Sequence, residues 1–331
     1  MSLGPDPFIV PVLMFHSVGL RHLRWAWRHL SEPIDLFTGF LDDLQAGGFC
    51  TISLPELTAH MAGEHRAPPN SIVLTFDDGY LDNWVYVAPL LRKRGFRGTV
   101  FASTDFIDPG TGLRPSLEDV WAGSAGDADL RPAGFLNQDE LRALDESGVL
   151  DVQSHAQTHT WYPVGPRIGG WHGASDPSPW PWLAWNARPE RKFAYLTEDQ
   201  SGFVPFGTPI HQHGRALGIR RYFPEPAPGR YETDEEMMAR YRHEIFESRR
   251  ILQELTDSEV AHFCWPGGAY CEENWPLAEE AGYATICVAR RDLARWRSDD
   301  PRLVRRIGCA NIVTTMGGTY PTRDPRHLLL A

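Results

Sequence analysis

Nine residues, Ile72-Val73-Leu74-Thr75-Phe76-Asp77-Asp78-Gly79-Tyr80, constrain this chain more than any other stretch. The run of branched apolar residues reads as a fully buried strand, closed by glycine at a turn. Two adjacent carboxylates stand where that strand would end. Neighbouring carboxylates repel, so both stay ionised only if a cation or a cationic side chain compensates them. That points to metal-assisted chemistry, with one Asp as ligand and the other as proton acceptor. The competing reading is that Asp-Asp-Gly is a solvated turn, and the rest of the chain has to decide between them.

The pattern around this stretch alternates. A strand is predicted over 8–15 and ends at His16. A basic segment with Trp25 and Trp27 follows, read as a surface loop. Helical periodicity over 34–47 stops at Gly47-Gly48, and a short strand over 49–53 leads to a helix opened by Pro55, with Ser53 or Leu54 as N-cap. After the 72–80 strand come a helix over 82–94 and a strand over 98–102. Residues 104–134 are rich in Gly, Pro, Ser and Asp and read as an insertion. Asn137 caps the next helix, and a strand over 149–153 runs directly into Ser154-His155. Residues 160–232 form a second insertion dense in Pro, Gly and Trp. Thr233 caps a long helix to about 255. A strand over 260–265, a helix over 273–280 and strands over 283–288 and 303–309 complete the chain.

Strands alternating with helices predict a parallel sheet or a β/α barrel, because parallel strands need crossover connections. Catalytic groups in such folds sit at the C-terminal ends of strands. Asp77-Asp78, His155, Pro266-Gly267-Gly268 and His16 all fall at predicted strand ends, which favours the functional reading over the solvated turn. The 331 residues are expected to form one domain over 1–331. A net charge of -11 argues against nucleic acid or anionic membranes as partners. The five cysteines lack CxxC spacing and read as reduced core residues. The start shows no basic n-region or long apolar segment, and no apolar run is long enough to span a membrane, so a soluble, cytoplasmic protein is expected. Nothing in the sequence sets the oligomeric state.

His155 and His159 are spaced i, i+4. On one helical turn they would project from the same face and share a cation, at about 2.0–2.1 Å per nitrogen for zinc. Such a pair is weak evidence alone, since histidine pairs often lie on solvated helices. His211 and His213 alternate within a loop and read as polar or substrate contacts without a ligand role.

In order, Thr75-Phe76-Asp77-Asp78-Gly79, His155-xxx-His159 and Cys264-Trp265-Pro266-Gly267-Gly268 resemble the motifs of the polysaccharide deacetylase family, the NodB-homology or carbohydrate esterase family 4 proteins. The resemblance covers about 8–104, 135–160 and 233–310. It implies a distorted (β/α) barrel of about seven parallel strands, here with two long loop insertions, and a metal-dependent deacetylase. Asp77 matches the family's catalytic base, and Asp78, His155 and His159 its ligands for one divalent cation, expected to be zinc. Gly267 would supply a backbone N–H for the oxyanion, and Trp265 and Tyr80 are expected beside the substrate.

The chain departs from the family in three places. Ala156 replaces the usual Ser or Thr after the first histidine. Cys264 stands where an arginine usually orients the base. The late Leu-x-His that supplies the acid is absent from 286 to 312. The opening strand resembles that of relatives with permuted motifs, so His16 is expected to be the acid, facing the metal across the pocket from Asp77. Arg306 is expected to replace the missing arginine, with Arg305 as the alternative if the strand phase slips by one.

The expected activity is removal of an acetyl group from an N-acetylated sugar of a surface polysaccharide or its precursor. Two rivals are a cyclic imide or ureide hydrolase on the same barrel, and a catalytically silent glycan-binding protein. The tryptophans of the second insertion (Trp161, Trp171, Trp180, Trp182 and Trp185) would either face sugar rings or form a satellite core.

Overall fold

The computed structural model describes residues 10–20, 25–173, 179–289 and 300–308. Seven parallel strands close on themselves: β1 (Val12–Phe15), β2 (Ser71–Asp78), β3 (Gly98–Ala102), β4 (Leu150–Ser154), β5 (His262–Cys264), β6 (Thr285–Ala289) and β7 (Leu303–Gly308). Their order around the barrel is β1-β7-β6-β5-β4-β3-β2, and β2 returns to β1 through Val73–Phe76 against Val12–Phe15. The closure is irregular, since β4 and β5 meet only at Ser154 and Phe263. The distorted barrel expected from the sequence is the fold found.

All eight residues of β2 are buried, because alternate side chains enter two different cores. Val73 packs inside the barrel with Val12, Phe101, Cys264, Cys287 and Val304. Leu74 and Phe76 pack outward against the helix layer, with Phe37, Leu41 and Leu91. Asp77 shares the inward parity of Val73 and Thr75. On a regular strand Asp78 would then face outward. Its φ of +76° breaks the alternation at the strand's last residue, a conformation Asp tolerates better than most residues. Two adjacent carboxylates can serve one site because the strand ends between them.

Helix starts follow the sequence. Ser53, Asn137 and Thr233 each cap a helix, with a Glu three residues later closing a capping box. Two helices carry π segments, Asn83–Val87 and His243–Glu247. The second insertion is more ordered than its composition suggests. It pairs Trp161–Trp171 with Pro209–Arg215 in an antiparallel hairpin and adds a short helix, Pro181–Ala187.

The segment read as a surface loop is not one at Trp25. Its indole is fully buried against Tyr80, ring centroids 5.0 Å apart, in a cluster that includes Phe106, Phe135, Trp182 and Trp185. The basic neighbours of Trp25 concealed its apolar role. No helix among the described residues is long and apolar enough to cross a membrane.

Candidate metal and catalytic site

Asp77, Asp78, His155, His159, His16, Trp265, Gly267 and Arg306 all line one cavity of about 590 Å³ at the C-terminal ends of the strands. Asp78, His155 and His159 converge: each imidazole Nε2 lies 3.3 Å from Asp78 Oδ1. That oxygen is buried and has no hydrogen-bond donor. His155 Nδ1 is 3.0 Å from the carbonyl of Cys264. A carbonyl only accepts, so Nδ1 carries the proton and Nε2 turns a lone pair toward Asp78. Burial, against the pull of Asp78, pushes His159 down to about 4, so its ring is neutral near pH 7.

A carboxylate and two imidazole lone pairs aimed at one point repel unless a cation lies between them. Donors about 2.0–2.1 Å from a tetrahedral centre are about 3.3 Å from one another, so these residues fit one divalent cation of that kind. The sequence reading put the histidines on a helical turn, and the structure corrects it. Residues 155–159 form a loop, with φ of +60° at Ala156 and +41° at His159. Strand β4 feeds directly into this loop, and its left-handed residues bring the rings together where a helical turn was expected to do so.

Arg306 grips Asp77 through two parallel bonds, Nη1 to Oδ1 at 2.6 Å and Nη2 to Oδ2 at 2.8 Å. It is 2% exposed, while Arg305 is on the exposed side of β7. The register Val12 to Arg306 places it beside β1 and β2, and the missing motif arginine is thus matched from another strand. Burial would raise Asp77, but the guanidinium outweighs it and holds the carboxyl below its usual range. Cys264 fills the space where that arginine would begin, its Sγ 2.8 Å from Arg306 Nη2.

His16 Nε2 is 4.0 Å from Asp77 Oδ2. It stands beside the expected base, where the sequence reading had it across the pocket. Asn83 donates to the His16 carbonyl at 3.2 Å, and Asp82 accepts from Ser17 Oγ at 2.5 Å and Val18 N–H at 3.1 Å, which fixes the turn after β1. Burial lowers the His16 pKa and keeps the ring neutral near pH 7.

Tyr80, expected beside the substrate, lies off the wall of the main cavity and lines a small pocket next to it, with Trp27, Asp78 and His159. Its ring stacks on Phe135, with centroids 5.2 Å apart, and its hydroxyl supports Asp78 from behind. The first residue past the strand-ending glycine is carried back into the core by a bridge to Phe135.

Trp161, one of the tryptophans that the sequence offered to a sugar ring, reaches the cavity wall. Trp27, Glu244 and Arg215 reach it too, and they carried no signal in the sequence. Trp161 stacks on Trp182 at 4.7 Å and lies under the Arg215 guanidinium at 5.4 Å, so both neighbours compete with a sugar for its faces. Arg215 also explains Gly267. A Cβ there would sit 2.6 Å from Arg215 Nε, and the φ of +56° suits glycine as well. Trp182 and Trp185 are buried satellite core, whereas Trp171 is exposed.

Residues 64–198 match the sequence model of the family described as polysaccharide deacetylase. A Bacillus subtilis (strain 168) protein carrying that name, YxkH, is 28% identical over 95 residues, 29% of this chain and 32% of the relative. The match thus spans about a third of that relative's length. Among solved structures, a de-N-acetylase from Aggregatibacter actinomycetemcomitans is similar with a TM-score of 0.60 at 17% identity, over 90% of this chain and 94% of that one. The BpsB deacetylase domain from Bordetella bronchiseptica gives 0.59 at 23% identity, over 92% and 96%. IcaB from Ammonifex degensii gives 0.53 at 16%, over 90% of each chain. These structural likenesses bear on the fold.

Proposed function

We propose that this chain, whose residues 64–198 match the polysaccharide deacetylase family, hydrolyses the acetamido group of an N-acetylated sugar. The substrate is a surface polysaccharide or its precursor, and one zinc ion rests on Asp78, His155 and His159. The observation that carries this reading is the donorless Asp78 oxygen facing two imidazole nitrogens, next to an aspartate clamped by arginine.

When bound, such a cation polarises a carbonyl and acidifies water. The chain's own groups do the rest. Arg306 keeps Asp77 ionised and fixes the plane of its carboxylate, so that Asp77 can take a proton from the attacking water. The Gly267 N–H donates to the oxygen that gains charge. The departing nitrogen needs a proton. His16 is neutral at rest and 4.0 Å from Asp77, and it passes on the proton that Asp77 has taken. The Trp27 and Trp161 side of the cavity receives the sugar.

The test is release of acetate together with a free amine from N-acetylated amino sugars and their oligomers, measured beside O-acetylated sugars. Equal amounts of acetate and amine are expected. Acetate from the O-acetylated sugars alone, or no release from any, would overturn the reading.

A further inference from the structure

The loop that carries both histidines has no helix to hold it, and two of its non-glycine residues, Ala156 and His159, have positive φ. Such conformations cost of order 1–3 kcal/mol each and persist only where the surroundings over-determine them. The end of β3 supplies part of that constraint. Ser103 Oγ donates to the His155 carbonyl at 2.9 Å, and the N–H groups of Thr104 and Asp105 donate to the carbonyls of Ala156 and Gln157 at 3.3 and 3.0 Å.

The remaining groups are held from far away in sequence. The Glu244 carboxylate accepts from the N–H of Gln157 at 3.2 Å, from the N–H of Thr158 at 2.8 Å and from the Thr158 hydroxyl. Glu244 lies in the π segment His243–Glu247, and such interruptions of a helix are frequent at functional sites. From the opposite side Lys192 Nζ donates to the Thr158 carbonyl at 3.0 Å and to Asp105 Oδ2 at 2.7 Å. Lys192 is 2% exposed, unusual for a lysine, and it comes from the second insertion.

We propose that Lys192 and Glu244 are positioning residues for the metal site. They grip Thr158 by its carbonyl and its N–H, and so fix the direction in which the next residue, His159, presents its imidazole to Asp78. The inference rests on the reading that Asp78, His155 and His159 hold a divalent cation. It gives the second insertion a part in building the site, through a lysine that never touches the substrate cavity. Ala156 cannot provide a side-chain hydrogen bond, and the grip on Thr158 adds to the bonds from the end of β3 in holding this loop.

The experiment is zinc affinity of the full chain, measured by competition with a chromophoric chelator, beside the thermal midpoint of the zinc-free protein. Partners that orient metal ligands typically contribute about 10–100-fold in affinity, and Lys192→Met should weaken zinc binding by that order. A purely structural role would lower the zinc-free midpoint and leave affinity intact. Unchanged affinity in folded Lys192→Met therefore overturns the proposal. If that variant does not fold, Glu244→Gln decides by the same titration: weaker binding supports the grip, and unchanged binding overturns it. Wild-type protein that takes up no zinc would overturn the metal reading and the grip together. Zinc binding that neither variant disturbs would overturn the grip alone.

Discussion

Two regions build the same cavity by different means. The barrel places Asp77, Asp78 and Arg306 through backbone register, with β2 hydrogen-bonded to β1 on one side and β3 on the other. The second insertion places Trp161, Lys192 and Arg215 through side-chain contacts: an indole under a guanidinium, an ammonium on a carbonyl, an arginine over a glycine. Register is rigid and set by the whole sheet, so it can hold reacting groups. Side-chain contacts can change without unmaking the sheet. We therefore expect barrel substitutions to abolish chemistry, and insertion substitutions to tune affinity.

The largest effect should come from the barrel. Asp77→Asn keeps the shape of the base and removes its proton affinity. Turnover on an N-acetylated sugar oligomer should fall by about 10²–10⁴-fold, with bound zinc unchanged. Turnover within a few-fold of wild type would remove Asp77 from the reaction.

Arg306→Met comes next, read as stability. It leaves Asp77 buried without its counter-charge, a change that typically costs about 3–5 kcal/mol. Chemical denaturation should show a loss of that size, reduced when Asp77→Asn is added, because the stranded charge is then gone. Equal losses in the two backgrounds would mean the pair is not coupled.

The smallest effect belongs to the contact between a barrel loop and the insertion. Gly267→Ala meets Arg215 Nε and also strains a left-handed residue. If the arginine is the main obstacle, Gly267→Ala should raise KM several-fold in wild type and far less in Arg215→Ala. The same penalty in both backgrounds would mean that backbone conformation alone requires the glycine.

The contrast also explains what the sequence could disclose. Asp77-Asp78-Gly79 was legible because a strand, a turn and two carboxylates are local. Arg306 was legible from strand phase, since alternate residues of β7 face opposite ways. The conformation of 155–159 was not, because i, i+4 spacing suits a helical turn equally well and nothing local announces left-handed φ at Ala156 and His159. Tyr80 and Trp25 went astray through their neighbours: one adjoins the site and the other adjoins basic residues, yet both pack into one apolar cluster. Glu244, Lys192 and Arg215 are ordinary charged residues in sequence, and only tertiary contact distinguishes them.

The central claim is that Asp78, His155 and His159 hold a cation that amide hydrolysis requires. It is tested most directly by titrating zinc into chelator-stripped protein while following acetate release from an N-acetylated amino sugar oligomer. The account predicts no release without metal, a linear rise to one equivalent of zinc, and no such rise in His155→Ala. Full release from the stripped protein, or an unchanged titration in His155→Ala, would contradict it.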